Sequence, residues 1–157
     1  MKKLRTAVLC VCIMLLNLRS IAQTQGLRGN GPDGYKPKLF QTLPEKISIN
    51  PANLNNLLNT PVGHTVSINL SDNSRFQFEG QVVSSSNGEE NNIQTVIIQS
   101  TNFNGARLTL SKINNPDGTI SYSGRILSFQ HGDLLEIKNQ DGHYVLIKRK
   151  LNEIINE

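Results

Sequence analysis

The chain has 157 residues, of which 37% are apolar, 5% aromatic and 18% charged, and its formal net charge is +4. Four of the 16 basic residues (Lys2, Lys3, Arg5, Arg19) and none of the 12 acidic ones fall in the first 22 positions, so the rest carries 12 of each. The positive balance therefore gives no argument for nucleic acid or an anionic surface as a partner.

Basic residues at positions 2, 3 and 5 precede an apolar run from Ala7 to Leu16, and Ser20 and Ala22 stand at the −3 and −1 positions of a small-x-small site. This is the layout of a secretory signal peptide, with cleavage expected after Ala22. The run is shorter than the roughly 20 apolar residues that span a bilayer. Cys10 and Cys12 lie inside it, after Leu9 and Val11, and not behind a small residue at its end. A soluble exported protein, periplasmic or extracellular, is thus expected, with no stable membrane anchor after cleavage. Both cysteines leave with the signal, so the mature chain has no disulfide and no Cys-based metal site.

Residues 23–38 contain four Gly, two Pro and almost no apolar side chains, which predicts a flexible lead-in. The glycines do not make a phosphate loop, because no strand precedes them and no G-K-[S/T] follows. Residues 39–157 are expected to form a single β-rich domain. Its first element is a short helix over about 51–58: Asn50 suits the N-cap, Pro51 the first helical position, and Leu54, Leu57 and Leu58 share one face. Asn59, Pro61 and Gly63 end it.

From His64 the period of apolar residues changes to two, as in strands with one buried and one wet face. Val66, Ile68 and Leu70 alternate with polar residues, as do Phe76, Phe78, Gly80 and Val82; Leu108 and Leu110; and Ile120, Tyr122, Gly124 and Ile126. The run 95–99 (TVIIQ) is apolar on both faces and reads as covered twice. Turn signals at 71, 85, 102, 114, 130 and 140 leave room for strands but not for crossover helices. The fold expected is mainly β: an antiparallel meander of about seven strands, forming a strongly curved sheet or small barrel. The N-terminal helix plugs it, and a short C-terminal helical turn is built on Leu151, Ile154 and Ile155. Gly80 and Gly124 fall on the apolar face, where sharp curvature or close approach of the helix accounts for them. Lys148-Arg149-Lys150 reads as charge that keeps a terminal strand soluble and unpaired, and alternatively as an anion-binding run.

Two stretches, QHGD (130–133) and QDGH (140–143), place His and Asp around one glycine. Asp141-Gly142 is a two-residue hairpin signal, because both positions tolerate positive φ. That turn pairs Gln140 with His143, Lys138 with Val145 and Ile137 with Leu146, and leaves His143 wet. Gly132 and Asp133 suit a second turn. A metal site needs three or four convergent ligands, whereas His64, His131 and His143 lie on three different expected loops. No H-E-x-x-H, G-x-S-x-G or Cys nucleophile occurs. No catalytic, cofactor-binding or metal residue is assigned; Arg125, His131 and Asp133 are the weak candidates for any site. Phe40, Phe103 and Phe129, near turns, read as covers over barrel ends and alternatively as a binding patch. The many Asn residues suit loops and caps.

The segments LPEKISINPANLNNLLNTPVG (43–63), IIQSTNFNGARLTLSK (97–112) and DGTISYSGRILSFQHGDLLEIKNQDGHYVLIKRK (117–150) resemble the N-terminal, propeptide-like domain that precedes the catalytic domain in some secreted bacterial zinc metalloproteases. The shared features are turn and strand patterns from Phe40 to about Lys150. The chain departs from that pattern in having no zinc-binding helix and no protease domain, so no catalytic residue carries over. The resemblance implies a propeptide-like module that covers or chaperones a catalytic domain. The expected function is an exported non-enzymatic β-domain that binds a secreted protein such as a protease. The alternative is a module binding a small ligand or glycan in the curved sheet, and a third reading is a hydrolase with an unrecognised site. No cofactor is expected.

Overall fold

The structure, a computed structural model, describes residues 36–71, 76–88 and 92–155. The expected signal peptide, most of the lead-in and parts of the turns at 71 and 85 lie outside the described residues. Among them, no helix is long and apolar enough to cross a membrane.

Among the described residues, eight antiparallel strands form one strongly curled, half-barrel sheet. They are β1 (Lys46–Ser48), β2 (Thr65–Asn69), β3 (Gln77–Ser86), β4 (Ile93–Ser100), β5 (Arg107–Asn114), β6 (Ile120–Leu127), β7 (Asp133–Gln140) and β8 (His143–Lys150). The order across the sheet is β1-β8-β7-β6-β5-β4-β3-β2, so β2 to β8 are a continuous meander and β1 adds beyond its last strand. Helix α1 (Pro51–Leu58) joins the two edge strands, and α2 (Leu151–Ile155) follows β8.

Local chemistry sets these elements. The Asn50 side chain accepts from Ala52 N at 3.0 Å, satisfying one of the orphan donors of the first turn of α1. Leu54, Leu57 and Leu58 are all buried, and α1 packs on the concave side against β5, β4 and β2, as the plug expected. Asp141 (φ 53) and Gly142 (φ 84) form the two-residue β7–β8 turn, and the register is the one the sequence gives: Gln140↔His143, Lys138↔Val145 and Ile137↔Leu146. At the β5–β6 turn, Thr119 hydroxyl and backbone N–H bonds hold the Asp117 carboxyl below its ordinary range.

Inward-pointing side chains form one core around α1. Phe76, Phe78, Val82, Val96, Ile98, Leu108, Leu110, Ile126, Leu135, Ile137 and Leu146 are all buried in it. Each full burial of such a side chain is worth about 1.5–3 kcal/mol. Phe40 seals one end; its ring lies 5.4 Å from Phe103, which also stacks on Phe76 and Phe78. Two of the three turn-side phenylalanines are therefore covers, but Phe129 is 76% exposed.

Several expectations are refined. Strand β1 was not foreseen, because three residues are too few to show a period of two. Its pairing with β8 covers Val145 to Ile147, and Lys148 N bonds Glu45 O, so β8 is interior as far as Lys148 and only Arg149 and Lys150 run past the end of β1. Lys148 is instead tied to Leu43 O and Glu45, and Arg149 to Glu153. Strand β4 is not buried on both faces: Val96 and Ile98 are buried, while Ile97 is half-exposed. Ile120, at the start of β6, is 50% exposed. Gly80 and Gly124 answer to sheet curvature and not to the helix, since a Cβ at either would stand 2.5 Å from a carbonyl oxygen of the neighbouring strand (Gln99 or Thr109).

Candidate functional site

Arg125, His131 and Asp133 do not converge. Asp133 shares the inward parity of Leu135 and Ile137. It is 3% exposed, and its two oxygens accept from Leu39 N (2.6 Å) and Phe40 N (2.9 Å). Together with Gly132 N bonding Pro37 O, this clamps the segment before β1 onto the start of β7 and holds Phe40 in place. Arg125 stands opposite Glu136 on the outer face and pairs with it at 3.1 Å. Lys138 and Arg149 also approach Glu136, so the carboxylate, 8% exposed, is neutralised from three sides. All three candidates thus have structural partners.

His131 carries the nearest thing to a catalytic pair: its Nδ1 lies 2.9 Å from Ser128 Oγ. Ser128 is only 1% exposed, its Oγ also accepts from Gln130 N, and its carbonyl accepts from His131 N. These bonds close one turn, and among the described residues no carboxylate hydrogen-bonds the His131 ring. A general base needs an orienting group and a reachable nucleophile, and this pair has neither. Among the described residues no three of His, Cys, Asp and Glu gather as a metal would require. We expect His131→Ala and His143→Ala to change stability by less than about 1 kcal/mol, the usual range for partly exposed positions. Elemental analysis should find no stoichiometric zinc in the parent protein or in either variant.

Two other features are open. The first is the edge strand β2. Its pairing with β3 is flanked by Val82 N bonding His64 O and by Leu70 N bonding Phe76 O. Hydrogen-bonded pairs recur every second residue in an antiparallel ladder, so Val66 and Ile68 bond β3, while Thr65 and Ser67 turn their N–H and C=O groups outward. Those four groups have no hydrogen-bond partner among the described residues. Val66 and Ile68 hold inward positions yet stay half-exposed, because among the described residues no strand continues the sheet past them. From His64 to Asn69 there is no charge at neutral His, no proline and no bulge. The other edge, β1, is three residues long and carries Lys46, which are the usual devices that blunt an edge.

The second is a concavity of about 610 Å³ where the core face runs past the C-terminus of α1. It is lined by Leu58, Asn59, Thr60 and Pro61 on one side, and by Ser85, Asn87, Gly88, Asn92, Gln94 and Asn114 on the other. Sequence reasoning assigned these asparagines to loops and caps. Elsewhere in the chain Asn50, Asn115 and Asn139 do serve in that way, through side-chain bonds to local backbone or hydroxyl groups, while Asn102 ties its turn to β3 by donating to Gln77 O. The pocket was invisible because its residues come from three separate segments.

Comparison of the chain with protein-family models, curated proteins and solved structures finds no match.

Proposed function

We propose that this is an exported, non-enzymatic protein-binding module, which takes an extended segment of a second exported protein as a ninth strand along β2. The outward, unpartnered backbone groups of Thr65 and Ser67 carry the reading. An added antiparallel strand satisfies all four of them, and alternate apolar side chains on it cover Val66 and Ile68. Main-chain bonds supply affinity in this mode of recognition, and alternate side chains supply specificity. The likeness to a metalloprotease N-terminal domain, read from the sequence, makes an exported protease the first partner to test. The bonding of Arg125, His131 and Asp133 into the scaffold favours a binding role over a hydrolytic one.

Ser67→Pro separates this edge from the rest of the fold. Its N–H points outward, so proline there leaves the β2–β3 ladder intact while removing a donor and placing a ring in the path of the incoming strand. In capture experiments from periplasm and culture fluid, Ser67→Pro should lose a partner held by the parent protein, with affinity down at least about tenfold, the loss of about 1.5 kcal/mol. Ser67→Ala, which keeps the N–H, should retain it. Equal capture by the proline variant contradicts the proposal.

A further inference from the structure

We infer that the hollow beside Arg107 and Phe129, on the outer face of the sheet, is a binding site for the last residue of a peptide chain: a free carboxylate next to an apolar side chain. This site is built on β4, β5 and β6 and does not rest on the reading given above.

The hollow has a volume of about 240 Å³. Its walls are the turn that joins β4 to β5, the turn that follows β6, and Gln99, Arg107 and Leu127 on the strands between. All of these lie within 92–155, which is described without a break. Ile98, Leu108 and Ile126 face the core, so the three strand residues beside them face outward. They stand in one row, Gln99 opposite Arg107 and Arg107 opposite Leu127. Beyond β6, Ser128 O accepts from His131 N, which closes a turn with Phe129 and Gln130 at its tip. The buried Ser128 hydroxyl, bonded to Gln130 N and His131 Nδ1, braces that turn from inside. The facing turn is closed by Ala106 N bonding Phe103 O, and the two pack closely, since a Cβ on Gly105 would stand 3.1 Å from Ser128 Oγ. Phe129 is thus held in water on a braced turn, the most exposed large apolar side chain among the described residues. It does not join the core, so of its two readings from the sequence the binding patch is the one left.

Arg107 supplies the charge. Its Nε donates to Gln99 Oε1 at 2.9 Å, and Gln99 Nε2 donates to Ala106 O at 2.9 Å, so a fixed amide orients the guanidinium. An arginine has five N–H donors, and among the described residues only the Nε–H of this one has a partner. Arg125 and Arg149 both pair with Glu136, whereas Arg107 has no carboxylate partner among the described residues. Glu79, on the same face two strands away, accepts from Gln77 Nε2 instead. On the other side, Arg125, Lys138 and Arg149 share Glu136 and Glu153, which leaves one cation in excess there as well. The local field therefore favours an anion. A guanidinium held by its Nε offers its remaining donors to a carboxylate as a planar fork, and a single cation lining the hollow suits a monoanion better than a doubly charged phosphate. The half-buried Leu127 and the Phe129 ring provide apolar surface for the side chain of the same residue. The exposed Gln130 side chain makes no hydrogen bond among the described residues and can meet the preceding peptide group with a donor and an acceptor. The volume is below the 300–1,000 Å³ usual for small-molecule sites, which fits one terminal residue and not a larger ligand. Capture of a C-terminal carboxylate is a recurring mode of peptide recognition, and arginine and aromatic residues are enriched among those that carry binding energy.

The test is a titration of the purified protein, followed by NMR, with acetylated tetrapeptides that end in Leu, Ile, Val, Met or Phe, each as the free acid and as the C-terminal amide. At least one free acid should produce saturable shifts centred on the Phe129 ring, the Arg107 Nε–H and the side-chain amides of Gln99 and Gln130. Its amide should bind at least tenfold more weakly. Phe129→Ala and Arg107→Gln, both at exposed positions, should keep the remainder of the spectrum and each weaken binding of the free acid at least tenfold. Absence of saturable shifts with every free acid overturns the inference. So do shifts centred elsewhere, equal affinity for acid and amide, or unchanged affinity in either variant. Inorganic phosphate or a single N-acetylated amino acid binding as tightly as the best peptide also overturns it, because the site would then take a free anion and not a chain end.

Discussion

Replacing Asp133 with Ala should destabilise the domain by about 3–6 kcal/mol, the sum of two hydrogen bonds to a charged acceptor at about 1.5–3 kcal/mol each. Both oxygens of this buried carboxylate are engaged, and truncation leaves the N–H groups of Leu39 and Phe40 without acceptors. Phe40, fully buried beneath Phe103, then loses the clamp that holds its backbone. A domain of this size has only about 5–15 kcal/mol in total, so the variant should sit near the edge of folding. Asp133→Asn keeps one acceptor oxygen but turns an NH2 group towards the other N–H, and it should lose most of the same amount. Arg125→Ala, at an exposed position whose partner Glu136 keeps Lys138 and Arg149, should stay within about 1 kcal/mol. Urea midpoints of the four proteins rank these effects. A midpoint for Asp133→Ala within about 1 kcal/mol of the parent value, the scale of an ordinary surface change, would remove the structural role assigned to this residue and return it to the candidates for a site.

Gly124→Ala and Gly80→Ala should be nearly as damaging, each by about 3 kcal/mol or more, at the upper end for overpacking a core. The new Cβ on Gly124 would stand 2.5 Å from Thr109 O and 3.3 Å from Leu110 Cα, both backbone atoms of the paired strand. The Ile137 methyl at 3.0 Å can turn away, but the carbonyl cannot move without opening the β5–β6 ladder. At Gly80 the Gln99 carbonyl, also at 2.5 Å, plays the same part. Gly118→Ala serves as the contrast. Its site is open, with nothing within 4 Å, and only its φ of +82° opposes a side chain. That left-handed penalty is about 1–2 kcal/mol. Denaturation midpoints, and the soluble yield where a variant fails to fold, should therefore separate Gly80 and Gly124 from Gly118. Equal losses at all three would mean that backbone conformation alone, and not close approach of the strands, fixes these glycines.

Much of the fold was legible because the sequence signals were local. A period of two between Val66 and Ile147 marks the strands, Asn50-Pro51 the start of α1, and Asp141-Gly142 a turn whose register is the one found. What escaped the sequence was long-range. Strand β1 gains its identity only from β8, nearly 100 residues later, and the double apolarity of 95–99 says nothing about whether a second layer exists. Arg125, His131 and Asp133 have the chemistry of a site, but that chemistry is spent on partners that spacing does not reveal: Glu136, Ser128, and the backbone of Leu39 and Phe40. Nor does an exposed edge announce itself. Thr65 and Ser67 look like any outward strand residues until the order of the sheet shows that no described strand lies beyond them.

Amide hydrogen exchange at β2 tests the open edge most directly. In the isolated protein, the Val66 and Ile68 amides, bonded to β3, should exchange slowly, while those of Thr65 and Ser67 exchange at nearly unprotected rates and slow down once a partner segment is bound. Four equally protected amides in the free monomer would show that another part of the chain already occupies the edge, and would leave no place for a ninth strand.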